Sequence, residues 1–465
     1  MYNATPKSVR LFAVLSSAFF LCAAAHTAQA QDKAVSAPSA TPAPQAAAGL
    51  LPVPDYSSDI MDNAYLTGDW GGERTDLANK GVQFGIQWNQ FYQGVAGGGK
   101  NPTTEYGANV DYTINLDLMR MGVLPGALIQ FRAESRYGDS VNGDAGTILP
   151  VNTKALFPIA GKLNQDIGIT VTDLNYTQFL SPNFGVTLGK LDTLGGDPNE
   201  FASGRGATEF MNANLIFNPA LALRLPYSTL GVGIIWMPIP MKDDRGITVS
   251  NLFFNTQDAS TTTGFGDFDD GTSWNGEADF RYKLGDLPGG INVGGLYSWN
   301  QHFNELNSRL VLQPGQGLSL PSKNNTWAVY GSAWQYLTVK DSGKALVPIA
   351  GEPTREGIGL FGRLGFADQD TNPAKFAISG GVGGRGMIPS RENDNYGVGL
   401  YYDELQTIRL SGLANLRGDT EGIEGFYNFA VTPACRLSFD LQVVTPAQTT
   451  ERTATVLGVR ASVDF

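Results

Sequence analysis

The mature part of this chain is predicted to be all-β: a transmembrane antiparallel barrel of about sixteen strands with a short N-terminal helix. Three observations predict it. Apolar and polar residues alternate over segments of about ten residues, enough for a tilted strand to cross a bilayer. Long and short connections tend to alternate between those segments. An export signal precedes a chain that keeps one cysteine and one histidine.

The export signal comes first. Lys7 and Arg10 precede a short apolar run, Leu11 to Ala25, and Ala28-Gln29-Ala30 matches a small-x-small cleavage pattern, so residues 1–30 read as a signal peptide. Their removal takes Cys22 and His26 and leaves Cys435 and His302. One cysteine forms no internal disulfide. So few His and Cys argue against thiolate catalysis, His-based triads and His/Cys metal sites, so no enzyme and no cofactor is expected. The formal charge is −12 and becomes −14 when Lys7 and Arg10 leave, which disfavours nucleic acid as a partner. Residues 31–62 read as a flexible linker, rich in Ala and Pro (Ala-Pro-Ser-Ala-Thr-Pro-Ala-Pro at 37–44), and 63–465 as the barrel. A helix is predicted around 71–80, with Thr67 or Asp69 near its start and Gly81 as its stop.

From Val82 a period of two takes over. Tyr106, Ala108, Val110, Tyr112, Ile114 and Leu116 share one face, while Asn109, Asp111, Thr113 and Asn115 share the other. In 127–137, Ile129, Phe131, Ala133 and Tyr137 oppose Gln130, Arg132, Glu134 and Arg136. In 274–284, Trp274, Ala278, Phe280 and Tyr282 oppose Asn275, Glu277, Asp279 and Arg281. In 435–444, Leu437, Phe439, Leu441 and Val443 oppose Arg436, Ser438, Asp440 and Gln442. In lipid every backbone group must be paired, so strands span only as a closed barrel with an apolar outside and a polar lumen. A soluble sandwich also alternates, but with strands nearer five or six residues.

Strands are centred on 82–93, 106–118, 127–137, 171–180, 184–192, 229–238, 247–254, 274–284, 290–300, 324–337, 356–367, 374–385, 395–402, 421–431, 435–444 and 454–465. The long connections are 138–170, 193–228, 255–273, 301–323 and 403–420. The segment 338–355 is long for a turn, and 368–373 is short for a loop. Aromatics near strand ends, among them Trp88, Tyr106, Tyr137, Trp236, Trp299, Trp334, Tyr336 and Tyr402, suit interfacial girdles against outer-membrane lipid. The last strand ends on Phe465 after Leu457, Val459, Ala461 and Val463, a pattern resembling the signal that barrel assembly machinery reads.

Two motif matches are set aside. Gly381-x-Gly383-x-x-Gly386 fits a dinucleotide pattern, but Met387-Ile388-Pro389 follows, where a helix would have to start. Asp267-Phe-Asp-Asp-Gly271 lacks the distal Glu of a calcium loop and leaves a loop calcium ion open.

Four blocks then resemble one family. They are Leu66-Thr-Gly-Asp-Trp-Gly-Gly-Glu-Arg-Thr-Asp-Leu77 with Lys80-Gly81; Leu188-Gly-Lys-Leu-Asp192 with Phe210-Met-Asn212; Gly359-Leu-Phe-Gly-Arg-Leu-Gly365 through Gly380-Gly381 to Pro389-Ser-Arg391 and Asp394; and Glu424-Gly-Phe-Tyr-Asn428 with Thr432-Pro433 and Asp440-Leu-Gln442. Together they resemble the carbohydrate-selective porins of the OprB type over about residues 63–465. Ala434 and Cys435 stand where the family pattern suggests a bulkier residue, and 145–168 is hard to match. The resemblance implies passive diffusion of small sugars such as glucose into the periplasm, with a general or cation-preferring channel as the alternative. It does not decide between a monomer and a homotrimer.

A sugar pore needs a wet constriction where donors and acceptors replace part of the sugar's hydration. Arg offers a fork of donors, and Asp and Glu offer acceptors. The candidates are Asp111, Arg132, Glu134 and Arg136 near mid-height, Arg363 and Asp440 across the lumen, and Trp327 and Tyr401 facing inward near the mouth. The alternative is that these charges only solvate the lumen and cross-link strands. The stretch 193–228, with Gly195-Gly196-Asp197, Asn199-Glu200 and Arg205-Gly206, either folds inward and narrows the pore or stays an exposed loop.

Overall fold

The computed structural model describes residues 49–465 except 194, 196, 267–270, 314–316, 341–345 and 407–416. The signal peptide and most of the linker lie outside the described residues, as do residues 267–270 of the calcium-like stretch.

Alternation produces the strands in chain order: β1 (Val82–Gly99), β2 (Thr104–Asp117), β3 (Ala127–Gly138), β4 (Ile167–Ser181), β5 (Phe184–Leu191), β6 (Thr229–Lys242), β7 (Arg245–Asn255), β8 (Thr272–Leu284), β9 (Leu287–Asn304), β10 (Val311–Gln313), β11 (Gly317–Ser319), β12 (Ser322–Val339), β13 (Gly357–Ala367), β14 (Ala374–Arg385), β15 (Asn395–Leu405), β16 (Asp419–Thr432), β17 (Cys435–Val444) and β18 (Arg452–Asp464). β10 and β11 form a separate hairpin, and the other sixteen close into one barrel. Each predicted strand centre falls on one of these sixteen. Neighbours pair antiparallel, and the seam closes between β1 and β18, with Trp88 opposite Val463.

The two faces separate as the period of two requires. Ile114, Phe280, Phe439 and Leu457 point outward and are exposed, while Asp111, Glu134, Asp279, Asp440 and Arg460 point inward and are buried. The girdle expectation requires an outward side chain, as Trp88 has: its indole donates to the Tyr137 hydroxyl on the outer surface at 2.6 Å. It fails for Trp334 and Tyr336. Both point into the barrel and pack around Phe201, with ring centroids 6.2 and 4.7 Å away.

The helix α1 (Glu73–Asn79) follows a 3-10 turn. Gly72 stands at its N-cap, and Asp69, before the turn, accepts from the backbone N–H of Thr75 in its first turn at 2.8 Å and from its hydroxyl at 2.7 Å. Gly81 takes a φ of +91° just past its end, where a Cβ would meet the Asp117 carbonyl oxygen at 2.6 Å. From this helix Arg74 inserts between Tyr56 and Tyr65, 4.3 Å from each ring centroid. It donates to the carbonyl of Phe84 on β1 and to a backbone oxygen of Phe465, closing the seam from below. The ordered barrel base therefore begins before residue 63. The N–H groups of Leu50 and Leu51 donate to Asp117, so the linker expected to reach 62 is packed against the barrel from about residue 50.

The lumen is not a bare tube. The connections 139–166 and 192–228 both turn inward and build an apolar core inside the barrel. The first brings Val141, Val151 and Phe157; the second brings Phe201, Phe210, Leu215 and Phe217 on a path that includes two short helices, α2 (Ala213–Ile216) and α3 (Pro219–Ala222). Glycines on the inner face of β13 and β14 make room. A Cβ at Gly359 would lie 2.2 Å from the Phe201 ring, and one at Gly383 would lie 2.6 Å from Phe201 Cβ. This close approach accounts for Gly383 of the dinucleotide-like stretch, whereas a Cβ at Gly381 would meet the Val398 carbonyl oxygen at 2.2 Å and Gly386 takes a φ of +70°.

Candidate functional site in the barrel lumen

β2 and β3 set the first part of the site. Their register places Asp111 opposite Glu134 and Thr113 opposite Arg132, all on the inner face. Carboxylates and an arginine on this wall would be costly to bury alone, so the inward loops supply partners. Lys154, on a 3-10 turn (Lys154–Leu156) of the first loop, pairs with Asp111. Arg205 of the second loop donates to Asp192 at 2.8 Å and to Glu134 at 2.9 Å. Arg132 donates to the same Asp192 oxygen at 2.9 Å. The Phe157 ring lies 4.4 Å from the Arg205 guanidinium. Tyr227 donates its hydroxyl to the other Glu134 oxygen. Burial, then the charge of Glu134, raises the Tyr227 phenol well above its usual range, so it acts as a neutral donor. Asp173 accepts from the Asp192 N–H at 3.2 Å and holds that carboxylate's backbone in place.

The cluster thus gathers Arg132, Lys154 and Arg205 with Asp111, Glu134, Asp173 and Asp192. Most of it is buried, but the Arg132 side chain keeps 13% of its surface exposed and Asp111 keeps 10%. Of the two Asp111 oxygens, Oδ2 is held by Lys154 and Oδ1 is itself buried, so the exposed part of the network's edge is chiefly the Arg132 side chain.

The other predicted residues have different places. Arg136 donates to the carbonyls of Leu156, Ala160, Lys162 and Gln165 and so clamps the first loop to β3. Arg363 grips Asp197 through two bonds of 2.5 and 2.7 Å and donates to the Leu215 and Ala202 carbonyls, anchoring the second loop on β13. Asp440 accepts from Gln442 at 2.8 Å. One register step away, Glu424 accepts from the N–H groups of Met211 and Asn212. Tyr401 points inward as expected, but it is buried beneath the second loop in the apolar core rather than open at the mouth.

Trp327 is corrected. It lies on the outer face of β12, 39% exposed, between the buried Thr326 and Ala328. Both faces of β12 carry aromatics, so composition gave no parity; the inward set is Tyr330, Trp334 and Tyr336. A tryptophan at this height suits the lipid interface. Sequence reasoning did not assign Lys154, Asp173 or Tyr227 to the site. Lys154 and Tyr227 sit in loops without periodicity, where alternation gives no signal. Asp192 and Arg205 lay within stretches already singled out, and only the fold joins them.

A sealed antiparallel barrel with a polar, loop-narrowed lumen is a transmembrane channel scaffold of the outer-membrane type. The profile of the family described as "Carbohydrate-selective porin, OprB family" matches residues 101–465, and the chain belongs to that family. In structure it is similar to OprB of Pseudomonas putida at high pH, with a TM-score of 0.71, 19% identity, and coverage of 87% of this chain and 99% of that one. The low-pH form of the same Pseudomonas putida protein gives a TM-score of 0.51 at 16% identity, with the same coverage. A search of curated protein sequences finds no match. The family and the fold make this an outer-membrane carbohydrate porin.

Proposed function

We propose that the channel passes monosaccharides such as glucose by passive diffusion into the periplasm, with the Arg132 and Asp111 edge of the lumen cluster as the sugar-contacting surface. The supporting observation is the network that fixes Arg132 against Asp192 and Arg205 against Glu134. It holds donors and acceptors at set spacing, as exchange of hydration for protein hydrogen bonds requires. No step needs a catalyst. The chain is exported by residues 1–30, the assembly machinery recognises the strand ending at Phe465, and the outer face meets lipid; the oligomeric state is a monomer or a homotrimer.

Planar-bilayer conductance titrated with glucose, maltose and a non-sugar osmolyte tests this reading. Conductance blocked by glucose and not by the osmolyte supports it. In liposome swelling, Arg132→Ala should change the glucose rate severalfold, while Lys375→Ala at the rim, paired with Glu404, should leave it near wild type. Equal effects would remove Arg132 from the site.

One observation favours a second reading. Four carboxylates stand against three cations in the cluster, and the whole chain is acidic, so a cation-preferring channel is the alternative. Reversal potentials in a salt gradient separate the two: strong cation preference without sugar block supports the alternative.

A further inference from the structure

The connection between β12 and β13 is too long for a simple turn, and its residues 346–356 bend up into the lumen from the end that holds both termini. Three contacts join it to the second loop from below. The Thr354 N–H and hydroxyl each donate to Glu200 at 2.6 Å. The Thr208 hydroxyl donates to the Gly351 carbonyl at 3.1 Å. Gly351 and Gly204 meet backbone to backbone, so that a Cβ on Gly351 would fall 2.2 Å from Gly204 Cα. Tyr336 adds its hydroxyl to Glu200 at 2.7 Å.

Glu352 fixes this segment to the wall. Its side chain is buried and lies 2.7 Å from Arg436 on β17 and 3.5 Å from Arg385 on β14. Arg385 also donates to the carbonyls of Val347 and Pro353, gripping the segment on both sides of Glu352. Arg436 reaches Asp464 at 3.3 Å, which links the segment to the last strand. The ion pairs are enclosed, so loss of the Glu352 charge leaves the buried Arg385 without its acidic partner and Arg436 with Asp464 alone, a costly arrangement that favours release of the segment.

We propose that residues 346–356 form a second luminal element, a prop that sets the depth of the loop 192–228, and that Glu352 is its positioning residue. The size limit of the pore is then decided from both ends of the barrel. This rests on the reading of 192–228 as the constriction.

The test is liposome swelling with a mono-, di- and trisaccharide series, together with single-channel recording, on wild type, Glu352→Gln, Thr354→Val and a deletion of 197–206. Folding is checked by heat-modifiable electrophoretic mobility. Glu352→Gln should raise the trisaccharide rate at least threefold, change the monosaccharide rate less than twofold, and add open-channel noise. Thr354→Val, which removes one tether at an exposed position, should act in the same direction more weakly, and it carries the test if Glu352→Gln fails to fold. The double variant Glu352→Gln/Arg436→Gln restores charge balance without restoring the tether. Its size limit should stay relaxed, and a return to wild type would overturn the positioning role. If the deletion relaxes the limit and neither variant does, this inference alone falls. If nothing moves the limit, the constriction reading falls and the inference with it.

Discussion

Arg205 shows how a single residue carries the site. It comes from the second loop and satisfies Asp192 and Glu134 together, so its guanidinium ties that loop to β3 and to the loop's own root just past β5. Breaking a buried pair by removing one partner costs about 3–5 kcal/mol, because the remaining charge is left uncompensated. Arg205→Ala should therefore release the loop locally, raise conductance and weaken discrimination among sugars, as recorded in bilayers. Glu209 on the same loop gives a pH prediction. Burial raises its carboxyl well above 4.5, although the Ser203 N–H works against the shift. The folded state thus favours the protonated form. The stability this contributes is present below the unfolded value and is lost as pH rises through the raised one. Open-channel noise should increase with pH in the wild type and stay flat in Glu209→Gln.

At the scale of elements, the second loop is held at many points of the wall. Asn199 donates to Ser332 on β12 at 3.0 Å, Asn395 and Asn428 donate to the Thr208 carbonyl at 3.0 and 2.9 Å, and Asn212 donates to Gln442 on β17 at 3.0 Å. An element tied at so many points is expected to stay fixed rather than swing as a lid. Deleting 197–206 should widen single-channel conductance, and unchanged conductance would defeat the constriction. The glycine floor predicts a gentler version of the same effect. Phe201→Ala, which empties the seat above Gly359 and Gly383, should raise conductance without unfolding the barrel, with the folded electrophoretic form as the check. Burying a ring such as Phe201 is worth about 1.5–3 kcal/mol, so its loss loosens the loop and leaves the strand ladder intact.

The whole molecule rests on the division between an outer apolar surface and a filled lumen. Leu441 points outward and Gln442 inward on β17. Leu441→Arg should destabilise the barrel by about 2–4 kcal/mol if the residue sits near the bilayer midplane, falling to about 0–1 towards an interface. Reversible refolding into vesicles measures this, and an unchanged midpoint would contradict the outward face. The sequence by itself determined that division, the strands and their order, because a period of two is local and survives without any knowledge of partners. It also singled out Asp111, Arg132 and Glu134, which share one face of two adjacent strands. Only the tertiary structure decided what fills the lumen. Lys154, Tyr227 and the prop at 346–356 have no periodicity to report where they point, and the parity of Trp327 was ambiguous on a strand aromatic on both faces. Loops find their places through contacts far apart in the chain, such as Arg205 with Glu134 and Gly351 with Gly204, and those contacts exist only once the barrel has closed around them.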